Sequence, residues 1–344
     1  MNKLLTIVIA AYNMEKLLPR CLDSLIIPQE LRELVQVLVI NDGSKDKTLA
    51  IAQDYEAEYS DYIFAIDQTN GNYGKVMNHG LSLAKGKYFR TLDADDWYDK
   101  ESFIKFLLDL QKTDADMIIT QRMEYLDAYK ELHQVKKCFD SSIQVYKDLS
   151  ISNIDWSNAS VMDNLNVPHI TYKTSLLREC GLKWLEGICY TDTMYDYWPL
   201  RLVKKVRFVP LNVYIYLVGT NEQSMSPKNI RKNFNHFANV AEAIGKDFIT
   251  NGNSNSIIFP VQNKFIIQIM NFVYGDLVYG DENLNRIISL HNLYLQIPYY
   301  KRVFENRTFL RVKYLKNFSK GKLPFSFKML RYINKILCYR LKSL

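Results

Sequence analysis

The chain is short of the residues that build several common kinds of site. Its five cysteines (Cys21, Cys138, Cys180, Cys189 and Cys338) are odd in number and show no CxxC spacing. That argues against a disulfide framework or a cysteine zinc site and suits reduced thiols. The five histidines form no HExxH or similar cluster, which removes the common zinc-hydrolase pattern. No GxGxxG occurs. The nearest approach to a phosphate loop, around Gly74-Lys75, has Thr69 and Val76 where that motif needs Gly and Ser/Thr. No apolar run is long enough for a transmembrane helix: the best stretch, Ile257 to Tyr274, is cut by Pro260, Gln262, Asn263, Lys264, Gln268 and Asn271. The opening MNKLLTIVIAAYN lacks a signal-peptide cleavage pattern, so a cytoplasmic protein is expected. Internal repeats and low-complexity linkers are also missing.

What is present is a globular composition. The 344 residues are 48% hydrophobic and 13% aromatic, which a disordered chain would not show. The length suggests two domains, or one domain with a large appendage. The net charge of +7 is unevenly spread. Residues 301–344 hold thirteen Lys/Arg against the single acid Glu305, a net +12, and the first 300 residues carry −5.

The first 120 residues alternate between two periods. Continuous apolar runs at Leu4–Ala11, Val35–Ile40, Tyr62–Ile66, Tyr88–Leu92 and Asp116–Thr120 predict strands, the first clearly buried on both faces. Between them, Glu15–Ile27, Asp46–Tyr59, Lys75–Ala84 and Glu101–Lys112 predict helices. Such alternation predicts an α/β fold with a mostly parallel sheet flanked by helices. In open α/β sheets ligands sit beyond the carboxyl ends of the strands. Those ends read Tyr12-Asn13, Asn41-Asp42-Gly43-Ser44, Asp67 with Asn70-Gly71, and Asp93, Asp95 and Asp96. One polar strand end is a turn; four on one rim predict a site. After residue 226 the pattern turns mainly helical.

Four stretches carry chemistry. In LDADD (Leu92–Asp96), carboxylates at i and i+2 directly after a buried strand suit a shared hard cation such as Mg²⁺ or Mn²⁺. The same spacing also suits an acidic turn in which Asp96 or Asp99 caps the next helix. In VINDGSKDKT, Asp42 can accept hydrogen bonds from a base or ribose, or simply belong to a strand-to-helix turn. In NGNYGKVMNHG, Lys75 at a helix start favours an anionic ligand; an exposed loop is the alternative. In ICYTDTMYDYWPL, Asp192 lies among aromatics, where a raised pKa suits a general base and capping is the plainer role.

Taken in order, IVIAAYN, VINDGS, GNYGKVMNHGL, GKYFRTLDADD, HITYKTSLL and YTDT resemble the family 2 glycosyltransferases, which adopt the GT-A fold. The resemblance covers roughly residues 1–225: residues 1–100 would form the nucleotide-sugar-binding half and 101–225 the acceptor half, followed by a helical region over 226–344. It implies that Tyr12, Asp42, Lys75 and Asn78 line the donor site. Asp93 and Asp95 would form the DxD pair, with Asp95 nearest the metal, and Asp192 would be the general base. A divalent cation, a nucleotide-sugar donor (a UDP-sugar by resemblance) and a saccharide or lipid-linked saccharide acceptor follow. So does a role in bacterial surface-polysaccharide synthesis.

The chain departs from the family pattern at Thr191, where Glu is usual, and at Met77, where Arg is common. Thr220 and Glu222 also depart, within a stretch similar to the family's GREGQS. A sugar-nucleotide nucleotidyltransferase is the rival enzyme, but AAYNMEKLLPR lacks the glycine-rich loop that class places after its first strand. A non-catalytic nucleotide-sugar-binding module is the other rival. The basic tail, interleaved with Phe, Tyr, Leu and Ile, predicts an anionic membrane surface as partner at the cytoplasmic face; a helical appendage packed on the catalytic domain is the alternative. No nucleic-acid-binding motif is present.

Overall fold

A computed structural model describes residues 3–127, 130–134, 138–219, 227–276 and 282–306. The chain divides into two compact units, residues 1–223 with 260–262, and residues 224–259 with 263–344.

The first unit begins with β1 (Leu5–Ala11), α1 (Leu18–Asp23), α2 (Gln29–Arg32), β2 (Val35–Asn41), α3 (Thr48–Glu58), β3 (Ile63–Asp67), α4 (Asn72–Leu83) and β4 (Tyr88–Asp93). Then come β5 (Trp97–Tyr98), α5 (Lys100–Leu110), β6 (Met117–Leu126), β7 (Glu131–Gln134) and β8 (Asp148–Ser150). It ends with α6 (Ala159–Asp163), β9 (Ile170–Lys173), α7 (Thr174–Glu179), α8 (Asp192–Tyr197) and β10 (Lys205–Val218). The strands form one mixed sheet in the order β3-β2-β1-β4-β9-β6-β10-β5, with β7 beside β6 and β8 beside β10.

Strands β3, β2, β1 and β4 are mutually parallel, as the apolar runs predict. The sheet reverses direction at β9, which lies antiparallel between β4 and β6. Its four residues, ITYK, are too short and too mixed for periodicity to mark them. The predicted fifth strand is also longer than expected. β6 runs ten residues, because its outer half leaves the apolar core and pairs with β7 as a projecting hairpin. The first predicted helix is shorter, since Pro19 opens α1 and the preceding residues form turns.

Register places the site. Ala10 lies opposite Asp93, Ala11 opposite Asn41, and Asn41 opposite Asp67, so the ends of four strands finish level at one edge. The core beneath is built from Leu5, Ile7 and Ile9 of β1 with Val35, Val37 and Val39 of β2, all without solvent exposure. Burying apolar area at roughly 25 cal/mol per Å² makes this the main stabilising term, and it fixes the heights of the strand ends.

The second unit contains α9 (Pro227–Lys232), α10 (Phe234–Asn251), α11 (Phe259–Gly275), α12 (Leu284–Leu295) and α13 (Pro298–Asn306). Helices α10 and α12 pack closely at Gly245, which faces Leu293 and Tyr294, and the Tyr294 hydroxyl donates to Ala241 O at 2.8 Å. No described helix is long and apolar enough to cross a membrane. Most of the basic tail, from residue 307, lies outside the described residues, as do Thr220 and Glu222.

Candidate active site

The loops after β1 and β2 are laced together. Asn13 adopts φ 55°, and its N–H donates to Ser44 Oγ at 3.0 Å while its Oδ1 accepts from Lys45 N at 2.8 Å. Met14 N donates to Thr48 Oγ1 at 2.7 Å. Held this way, Tyr12 projects at the rim with 46% of its surface exposed. An aromatic ring fixed at a rim offers a stacking face.

Asp42 is buried, only 3% exposed. Its Oδ1 accepts from Gln68 Nε2 at 2.8 Å and Gly71 N at 3.0 Å, and its carbonyl accepts from Asn70 Nδ2 at 2.8 Å. The carboxylate therefore shapes the turn that leads into α4. Gly43, at φ +71°, allows this approach, because a Cβ there would lie 3.0 Å from Asn70 N.

Lys75 folds back on that turn: its Nζ donates to both the carbonyl and the hydroxyl of Thr69, each at 2.7 Å. Asn78 points elsewhere. Its amide donates to Trp184 O and Glu186 Oε1, both at 2.9 Å, and accepts from Trp184 N at 3.0 Å. Asn78 is thus a clamp on the loop ahead of Asp192. Gly187 N donates to Gly71 O at 2.8 Å, and a Cβ on Gly74 would fall 2.0 Å from Leu185 O. Met77, a departure from the family pattern, is fully buried.

After β4 the chain turns sharply, with Asp96 N donating to Asp93 O at 3.0 Å. Carboxylate oxygens of Asp93, Asp95 and Asp96 lie within 4.8 Å of one another. Asp96 is engaged by protein: Oδ2 accepts from the Tyr214 hydroxyl at 2.6 Å and Oδ1 from Leu217 N at 2.7 Å. Asp99 is the helix cap, accepting from Ser102 N at 2.9 Å, so the capping alternative applies to Asp99 and not to Asp96.

Burial, then the neighbouring charges of Asp95 and Asp192, push the Asp93 carboxyl up to about 7. Burial also raises Asp95, and burial with the charges of Asp95 and Asp93 raises Asp96 well above the usual range. Close, all-oxygen donors that repel one another fit a hard divalent cation, with Asp93 and Asp95 as the available ligands.

Asp192 opens α8. Its side chain reaches solvent, yet the protein packed around it raises its carboxyl by desolvation. It is close enough for its charge to act on Asp93. Tyr73, which feels the charges of both acids, and Thr91 carry buried hydroxyls without a well-formed hydrogen bond.

Several residues here escaped the sequence reading. Arg20 of α1 donates from Nη2 to Asp95 O at 2.9 Å, and its guanidinium lies 3.7 Å from the centroid of the Trp97 ring. In sequence it looks like a solvated position on an amphipathic helix. Tyr73 and Tyr214 gave no signal either, being two of 24 tyrosines.

Comparison with known proteins gives the context. Over 104 residues the chain is 40% identical to an uncharacterized glycosyltransferase, MG025, of Mycoplasma genitalium, a match spanning 30% of this chain and 35% of that one. It is 24% identical over 235 residues to the uncharacterized glycosyltransferase EpsJ of Bacillus subtilis, covering 66% of this chain and 64% of EpsJ. The chain thus spans less than two thirds of either relative. The fold is shared with residues 1–349 of S. aureus TarS, crystallised with UDP-GlcNAc, at TM-score 0.66 and 16% identity over 96% of this chain and 91% of that one. The profile of glycosyl transferase family 2 matches residues 6–179, half the sequence, and the chain belongs to that family.

Proposed function

We propose that the chain is a metal-dependent inverting glycosyltransferase. It moves a sugar from a nucleotide-sugar, with UDP the favoured nucleotide, to a hydroxyl of a lipid-linked or growing saccharide in bacterial surface-polysaccharide synthesis. The observation that carries this reading is the convergence of Asp93 and Asp95 with Asp192 at the level ends of β1, β2 and β4. The TarS fold, crystallised with UDP-GlcNAc, supports the choice of donor.

In this reading residues 1–100 bind the donor and 101–225 the acceptor. Tyr12 offers a face to the base, and Asp42 and Lys75 hold the turn beside it. Asp93 and Asp95 would hold Mg²⁺ or Mn²⁺, which when bound would supply positive charge for the diphosphate. Asp192 accepts the proton of the acceptor hydroxyl as that oxygen attacks the anomeric carbon. Burial raises its carboxyl above the usual range, which strengthens it as a base. The C-terminal region 226–344 carries the basic tail 301–344, which would rest on an anionic membrane surface at the cytoplasmic face.

A panel of UDP- and GDP-sugars, incubated with the protein and Mn²⁺, Mg²⁺ or EDTA and read by nucleotide release, tests this. One donor cleaved only with metal is the expected result. Equal cleavage in EDTA would exclude the metal-dependent mechanism.

A further inference from the structure

Arg20 is the one guanidinium the structure brings to the acidic turn among the described residues. It is held from two sides. Its plane rests on Trp97, 3.7 Å from the ring centroid, and Nη2 donates to the backbone carbonyl of Asp95 at 2.9 Å. Both contacts are with neutral groups, so the positive charge is not cancelled by a direct ion pair. Asp96 and Asp95 nevertheless act on it through space, with Asp127 further along. Its Nε–H is buried without a hydrogen-bond partner. Leaving such a donor unmatched costs about 1–3 kcal/mol, and a planar guanidinium with free N–H groups suits an oxyanion.

A fixed cation here has opposite effects on two states. Without metal it attracts the carboxylates of Asp95 and Asp96 and, through its hydrogen bond to Asp95 O, ties the turn to α1. When a bare divalent ion arrives, it meets that positive charge and is repelled. An ion that arrives with a diphosphate brings negative charge, which Arg20 attracts.

We propose that Arg20 couples the metal to the diphosphate, so that divalent cation and nucleotide bind as a pair and the cation alone binds weakly. This rests on Asp93 and Asp95 being the metal ligands. Linkage requires the coupling to be reciprocal: nucleotide raises metal affinity by the factor by which metal raises nucleotide affinity.

The test is Mn²⁺ titration of the full chain by electron paramagnetic resonance, with and without UDP, corrected for Mn·UDP formed in buffer. Wild type should bind Mn²⁺ weakly alone and more tightly with UDP. Arg20→Gln should bind Mn²⁺ alone about three- to tenfold more tightly, the effect of removing one nearby charge, and should lose a similar factor of the UDP enhancement. Arg20→Lys, which keeps the charge, should behave like wild type. Arg20→Met keeps the aliphatic contact with Trp97 and serves as a second neutral variant should the glutamine form melt early. Unchanged or weaker Mn²⁺ affinity in both neutral variants, with the UDP enhancement intact, overturns the proposal while leaving the metal site standing. Failure of wild type to bind Mn²⁺ even with UDP would refute the metal site, and the coupling with it.

Discussion

At the residue scale the site depends on a few acids with separate tasks. Asp192→Asn should fold normally, because the side chain reaches solvent and no described neighbour depends on its charge for a salt bridge. Transfer should fall about a hundredfold or more, the usual contribution of a general base. Turnover near wild type in the purified variant would remove Asp192 from that role. Asp93 supplies a second expectation. Its carboxyl sits at about 7 in the folded chain, above the roughly 4 of an unfolded aspartate. A raised acid holds its proton in the folded state, so the fold loses stability as pH climbs from about 4 and the loss is complete above about 7. Asp95, Asp96 and Asp192 shift in the same direction. The melting temperature of metal-free protein should therefore fall across that window, less steeply in Asp93→Asn, and Mn²⁺ should restore more of it at pH 8 than at pH 6. A melting temperature that rises from pH 5 to pH 7 in metal-free protein would contradict this charge arrangement.

At the element scale the positions of strand ends were legible and the loops across the mouth were not. LLTIVIAA and VQVLVI announce buried parallel strands because both faces of each are apolar, and a parallel register then aligns Asn41 and Asp93, with Asp42 and Asp95 just beyond them in sequence. LDADD was legible for the same reason. Three features were not. Strand β9 is four residues long and contributes no periodicity. Arg20 acts on Asp95 across 75 positions of sequence, a distance that local pattern does not span. Asn78 was expected beside the donor from its motif; its amide is engaged by Trp184 and Glu186, a pairing visible only once α4 and the loop at 184–187 are brought together. That loop gives the prediction at this scale. Gly74→Ala would place a methyl 2.0 Å from the Leu185 carbonyl, and backbone must move to admit it. Destabilisation of about 1–3 kcal/mol is expected, together with reduced transfer as Asp192 shifts. A denaturant midpoint equal to wild type would show that the loop is not held there.

At the scale of the whole molecule the charge is divided, −5 over the first 300 residues and +12 over the tail. In the proposed reading the basic tail meets an anionic membrane surface, which accounts for the positive half of that division. Each basic residue near an anionic surface contributes about 1 kcal/mol, so full-length protein should float with anionic liposomes at low salt and be released at high salt. Protein that stays at the bottom of the gradient at low salt would leave the tail without this role. The measurement that bears most directly on the central reading, that the acids after β4 hold a nucleotide diphosphate through a metal, is calorimetric titration of UDP into the full chain. It should be run with Mn²⁺, with EDTA, and with Asp95→Asn. Binding with Mn²⁺ that weakens at least tenfold in EDTA and in the variant is the predicted result. Binding of equal strength in all three, or none with Mn²⁺, would contradict it.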